Sequence, residues 1–154
     1  GVGGHCIAVD PYFIISEFPK ESKIISNARE INNYKSEWCI EKIENEKLKF
    51  ELKHGKKPLT ALMGLAFKPN IDDLRESPAN YIVNKVVKNS NDEKHLIVEP
   101  NLKTHSIFKL TDYKEAITKA DIIVFLVSHN EFSSLNISTK KMILNFSGTN
   151  LNIN

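Results

Sequence analysis

Residues 59–87, LTALMGLAFKPNIDDLRESPANYIVNKVV, decide the fold. A short apolar run over 59–66 carries Gly64 near its end, and a polar loop follows. Ser77-Pro78 then opens a helix, with proline at the first helical position, where a missing N–H is not needed. Ile82, Val83, Val86 and Val87 recur behind it at helical spacing. Toward the C-terminus the alternation repeats. A strand over 95–99 stops at Pro100, and a helix covers 113–119. The most continuous apolar strand of the chain covers 121–127, and a last strand covers 141–146. Strands and helices alternating at this pitch imply parallel βαβ units, so the expected fold class is α/β with a small, doubly wound, Rossmann-like parallel sheet. Such sheets bind ligands at the carboxyl ends of their strands, which points to Phe67, Lys68, Glu99, Ser128 and His129.

Toward the N-terminus the texture changes. Residues 20–54 contain neither Gly nor Pro, and Ile24, Ala28, Ile31, Tyr34, Trp38 and Ile43 recur at helical spacing, with Ile25, Cys39, Leu48 and Leu52 widening the stripe. Gly55 follows a lysine-rich end, as a helix stop does. A helix of about 30 residues is about 45 Å long, more than a small domain needs, and such a helix spans between domains or builds a dimer seam. The stripe therefore predicts a homodimer through this helix. Ahead of it lie a glycine loop, a His-Cys pair, Asp10-Pro11 and the run Tyr12-Phe13-Ile14-Ile15, which reads as core. The expected organisation is a cysteine loop over 1–19, a central helix over 20–54 and an α/β domain over 55–154. Because the chain opens inside a glycine loop and without methionine, an N-terminal part is expected to precede it.

Composition narrows the classes. With 154 residues, one domain of this kind can bury a sufficient core without staples. Apolar positions make up 41%, while Gly and Pro number 6 each, which excludes disordered and collagen-like chains. No apolar run approaches the roughly 18 residues of a membrane span, and no signal peptide is visible. Two cysteines exclude a disulfide framework and fit a reducing, cytoplasmic setting. A net charge of +2, with lysines scattered among acids, gives no reason to expect nucleic acid as a partner.

Cys6 is the sharpest candidate for chemistry. It stands in Gly3-Gly4-His5-Cys6, where glycines allow a ligand close to the backbone, and Asp10 follows four residues later. A thiol beside a carboxylate suits covalent attack on a carbonyl followed by hydrolysis. The competing reading is a small buried cysteine in a turn, which Cys39 on the helix also fits. His5 and Cys6 lack further ligands at metal-site spacing, so no metal is expected. A second candidate is the loop at 64–78. There Lys68 and Arg75, one of only two arginines, precede a helix start and make an anion site suited to phosphate. Against that stands a plain solvated loop in which Asp72, Asp73 and Glu76 neutralise both cations. The loop is not a dinucleotide fingerprint. Glu99-Pro100 and the Ser128–His129 pair follow strands as pocket-lining candidates, with a surface position equally open to His129.

Taken together, these segments resemble the UDP-glucose/GDP-mannose dehydrogenase family. Gly1-Val2-Gly3-Gly4-His5-Cys6-Ile7-Ala8-Val9-Asp10-Pro11 looks like its catalytic cysteine loop, and residues 64–79 look like the signature opening its C-terminal nucleotide-sugar domain. Val98-Glu99-Pro100-Asn101 and residues 126–132 match later landmarks in order. Within the family the motifs look most like the branch that oxidises UDP-N-acetyl-D-mannosamine, with UDP-N-acetylglucosamine 6-dehydrogenases as close competitors. A non-catalytic, dimerising UDP-sugar-binding module is the further alternative. The resemblance implies a long dimerisation helix, a UDP-sugar substrate, and NAD held mainly by an N-terminal domain outside this chain. It implies that Cys6 carries a thiohemiacetal and then a thioester and that Asp10 helps activate the hydrolytic water. Gly3, Phe67 and Lys68 would bind the sugar nucleotide, and Arg75 would reach NAD. This stretch alone would then be inactive, the family's catalytic lysine, asparagine and glutamate lying upstream of Gly1. Two departures stand out: Asn145 occupies the place of an aspartate, and 150–154 offers no arginine for the substrate.

Overall fold

The computed structural model describes residues 1–90, 94–133 and 135–154. Four parallel strands form the central sheet: β1 (Thr60–Met63), β2 (His95–Val98), β3 (Ile122–Phe125) and β5 (Met142–Asn145), in the order β2-β1-β3-β5. Thr60 pairs with both His95 and Ile122, so β1 sits at the centre, and the chain crosses outward in opposite directions from it. That reversal lies between β1 and β3, where an open α/β sheet leaves a crevice. Strands β4 (Leu135–Ile137) and β6 (Leu151–Ile153), a separate parallel pair, are absent from the sequence-based expectation; each is only three residues long.

Period-two alternation divides the strands between two cores. Leu62, Ile97, Ile122 and Val124 face helices α2 (Lys23–His54) and α3 (Pro78–Asn89), against Cys39, Ile43, Phe50, Val83 and Val86. Ala61, Met63, Ile123 and Phe125 face α4 (Tyr113–Lys119), Phe132 and Ile137. Ser77 caps α3 by accepting the Asn80 N–H at 3.2 Å, and Pro78 follows it. Its hydroxyl also donates to the Leu65 carbonyl at 2.6 Å, which fixes the helix start against the end of β1. Gly64 has φ +95°, and a Cβ there would stand 2.6 Å from Val127 Cβ, so the two crossovers can meet over the sheet only at a glycine.

The long helix starts at Lys23 and stops at Gly55, whose N–H bonds the Glu51 carbonyl at 2.8 Å. Of its predicted stripe only Cys39 and Ile43 are buried, whereas Ile24, Ile31, Tyr34, Leu48 and Leu52 are exposed, and the face packed on the sheet domain is completed by Ile40 and Phe50, which lie outside that stripe. A separate helix, α1 (Asp10–Glu17), precedes it, and there the core expectation for 12–15 is corrected. Phe13 is 69% exposed, and Tyr12 and Ile14 are exposed too, because α1 packs chiefly on α2 and contributes to neither core. No helix among the described residues is long and apolar enough to cross a membrane.

Candidate functional site

Two loops meet at the carboxyl ends of β1 and β3. The first is the N-terminal glycine loop. The Gly4 N–H donates to the Arg75 carbonyl at 3.2 Å. A Cβ at Gly3 would stand 2.4 Å from the Glu76 carbonyl oxygen, 2.7 Å from Pro78 Cδ and 2.9 Å from Phe67 Cβ. Contact this close admits only glycine, so the cysteine loop is seated directly on the 67–78 loop. From the other side Asn32 on α2 pins the same loop, accepting the Val2 N–H at 2.6 Å and donating to the Val2 carbonyl at 3.2 Å.

Beyond Gly4 the chain winds into a helical turn in which the Cys6 carbonyl accepts the N–H groups of Val9 at 3.0 Å and Asp10 at 2.8 Å. An i,i+4 turn sets Cys6 and Asp10 on one side. Cys6 is exposed, so the buried-turn reading does not hold for it, while it does hold for Cys39, which is buried and whose thiol burial pushes up. Asp73 grips the Arg75 guanidinium, with Nε 3.0 Å from both carboxylate oxygens and Nη2 2.6 Å from Oδ2. The guanidinium in turn holds the Asp73 carboxyl down to about 2. Asp73, for its part, holds the Arg75 guanidinium above its ordinary value. The neutralised-loop reading is thus realised for Arg75, although about two-thirds of its side chain stays exposed. Lys68 is exposed, with its Nζ 5.7 Å from the Phe67 ring centroid.

A cleft of about 230 Å³ lies at the switch point, lined among others by Ala66, Phe67, Lys68, Val127, Ser128 and Ser147. Glu99 and His129, expected beside them at the strand ends, do not line it. Both are buried beneath the loop, with His129 Nε2 3.1 Å from Glu99 Oε2. Sequence reading also missed Asn32, because an asparagine on an exposed helix face has no periodic signature. Asn145, the departure noted above, closes the turn after β5 by bonding both the N–H and the carbonyl of Thr149, at 3.0 and 2.8 Å.

The profile of the UDP-glucose/GDP-mannose dehydrogenase family, UDP binding domain, matches residues 61–149. The chain belongs to this family. It is 45% identical over 139 residues to UDP-N-acetyl-D-mannosamine dehydrogenase of Campylobacter jejuni, covering 86% of this chain and 33% of that protein. It is 41% identical over 139 residues to NDP-N-acetyl-D-galactosaminuronic acid dehydrogenase of Ralstonia solanacearum, covering 88% and 31%. Among solved structures, the UDP-D-ManNAc dehydrogenase of Pyrococcus horikoshii superimposes with TM-score 0.73 at 26% identity, over 94% of this chain and 38% of that one. The chain spans about a third of the length of the curated relatives it matches. The fold expectation, a long helix followed by a small Rossmann-like parallel sheet, holds in the observed architecture.

Proposed function

We propose that this chain supplies the catalytic cysteine loop (1–19), the dimerisation helix (20–54) and the UDP-sugar-binding domain (55–154) of a nucleotide-sugar 6-dehydrogenase. The proposed substrate is UDP-N-acetyl-D-mannosamine, carried to its uronate in two oxidations. The observation that carries this reading is the seating of Gly3 and Gly4 on the 67–78 loop, which sets the loop bearing the exposed Cys6 against the loop bearing Lys68 and Arg75.

Lys68 meets the charge of the nucleotide diphosphate, Phe67 bounds its cleft, and the backbone of Gly3, seated against Glu76 and Pro78, contacts the sugar. Arg75 is this chain's residue toward NAD. Its exposed guanidinium, half engaged by Asp73, suits one phosphate contact but not a whole dinucleotide site. NAD, when bound, would supply the hydride acceptor for each oxidation. Cys6 adds through sulfur to the C6 aldehyde, giving a thiohemiacetal, and after the second oxidation the sugar is held as a thioester. Asp10, on the same side of the turn, accepts the proton of the attacking water, and hydrolysis frees the carboxylate and restores the thiol. The exposed apolar face of α2, led by Ile24 and Ile31, is the seam for a second copy. By itself this stretch binds and associates but does not turn over.

The test is NADH formation by the full gene product offered UDP-N-acetylmannosamine, UDP-N-acetylglucosamine and UDP-glucose in turn. Two NADH per UDP-N-acetylmannosamine, abolished by Cys6→Ala, are expected. No NADH with any of them would leave a UDP-sugar-binding dimer module as the better description, and a preference for another sugar would reassign the substrate. Faster alkylation of Cys6 than of Cys39 follows from exposure alone, so the informative rate is that of Cys6 against a free thiol at the same pH.

A further inference from the structure

The Glu99–His129 pair beneath the cleft is out of proportion to a packing role. Both side chains are fully buried. A buried carboxylate is expensive unless its oxygens are saturated with donors, and apolar residues of like volume fill such a space at less cost. Glu99 meets that condition. Its Oε2 accepts the N–H groups of Leu65 at 2.7 Å and Ala66 at 3.0 Å, and lies 3.1 Å from His129 Nε2. Its Oε1 accepts the Asn101 N–H at 3.0 Å. Burial alone pushes the Glu99 carboxyl up, but the His129 bond and the backbone bonds from Leu65 and Asn101 outweigh it and leave the group below its ordinary value.

The histidine tautomer follows from the partner at its other nitrogen. The Asn70 N–H points at His129 Nδ1 from 3.0 Å, and a backbone N–H can only donate. Nδ1 is therefore the acceptor, and Nε2 carries the hydrogen given to Glu99. Asn101 Nδ2 adds a second contact to Nδ1 at 2.9 Å, and Asn70 Oδ1 accepts the Asn130 N–H at 2.8 Å.

The chain positions of these contacts are telling. Leu65 and Ala66 immediately precede the Phe67–Lys68–Pro69 segment, and Asn70, at φ 61°, immediately follows it. Glu99 comes from the end of β2 and His129 from just beyond the end of β3, the two strands flanking β1. One buried pair thus grips the loop at both of its feet from both neighbouring strands. We propose that Glu99 and His129 are positioning residues that set where Phe67 and Lys68 stand over the strand ends, and thereby the affinity for the nucleotide diphosphate. The proposal rests on the assignment of Phe67 and Lys68 to the UDP site. A negative charge below an anion site opposes the ligand electrostatically, so the role is geometric, exerted through the backbone N–H groups it fixes.

The test uses this chain with UDP as the probe, read by calorimetry, together with amide hydrogen exchange. Glu99→Gln is expected to weaken UDP binding about tenfold, the scale of one or two lost charge-assisted hydrogen bonds. The Leu65, Ala66 and Asn70 amides should exchange faster, while Leu62 and Val124 in the strands keep their protection. His129→Gln, which still reaches Glu99 but cannot accept from Asn70, should release the Asn70 amide more than those of Leu65 and Ala66. His129→Asn, which can restore the Asn70 bond, should recover part of the affinity, and it serves where Glu99→Gln does not fold. Exchange rising evenly through the sheet with an unchanged Kd would overturn the positioning role and leave a plain structural one. Lys68→Ala separates the two ideas. UDP binding that it weakens, but that Glu99→Gln and His129→Gln leave intact, overturns this inference alone. UDP binding that is absent, or indifferent to Lys68→Ala, overturns the site assignment and this inference with it.

Discussion

The sheet domain and the N-terminal segment of this chain are held together by different physics. In the sheet domain β1 and β3 are buried on both faces, and the loops above them are gripped by buried polar groups. In the segment formed by residues 1–35, the large apolar side chains of Ile7, Phe13, Phe18, Ile24 and Ile31 face outward, and the glycine loop is held by Asn32 and by its contact with the 67–78 loop. One region is self-sufficient, while the other leaves its apolar surface for something else to cover. The chemistry is divided along the same line. The proposed diphosphate site stands on the self-sufficient region and the thiol on the dependent one, so binding can persist where turnover does not.

The comparison breaks most visibly under core truncation. Phe125 is fully buried and packs edge-on to Phe132 at 5.8 Å between ring centroids, so Phe125→Ala is expected to cost about 3–5 kcal/mol in urea unfolding. The same change at Phe13, 69% exposed, should stay within about 0.5 kcal/mol. Comparable losses at the two positions would show that α1 is packed in solution and that the contrast is false.

Legibility followed the same divide. Residues 59–66 and 121–127 announced their strands because a strand buried on both faces is a continuous apolar run, and Ser77-Pro78 and Gly55 marked helix ends by backbone chemistry that needs no tertiary context. The run Tyr12-Phe13-Ile14-Ile15 misled because hydrophobicity states that a surface is to be covered, not by which chain. Glu99 and His129 were legible as strand ends, whereas their burial was not. A charged residue reads as exposed until its donors are known, and beyond the nearby Asn101 the donors of Glu99, on Leu65, Ala66 and His129, lie 30 to 34 residues away.

A smaller effect probes the junction of the two regions. Gly3→Ala puts a methyl where the Glu76 carbonyl, Pro78 and Phe67 leave no space, so the cysteine loop must lift by about an ångström. Turnover of the full gene product should fall about a hundredfold, while UDP affinity and the unfolding midpoint of the sheet domain change little. A parallel loss of UDP affinity would mean that the glycine loop shapes the diphosphate site itself, and the division of labour between the regions would have to be redrawn.

The smallest effect is one of pH, and its sign follows from two buried or half-buried carboxylates of the sheet domain. Glu99 titrates below its ordinary value for the reasons given above. Asp121 does so because bonds from the Leu59 N–H and Lys56 outweigh its burial. A carboxyl lowered in the folded state binds more protons when unfolded, so its stabilisation is complete above the ordinary carboxylate range and is lost as pH falls through the folded value. The domain should therefore hold constant stability from neutrality to about pH 5 and weaken below that, by at most about 1.4 kcal/mol per pH unit for each carboxylate. Asp73 is lowered as well, to about 2, yet its partner Arg75 lies mostly in water, so its share should vanish in high salt while that of Glu99 persists. Glu99→Gln, measured by thermal melts from pH 3 to 7 at low and high salt, should flatten the salt-resistant part of the acid limb. An acid limb that disappears entirely with salt would place the charges that matter at the surface, and would count against a buried ionised Glu99 as the group that holds the loop.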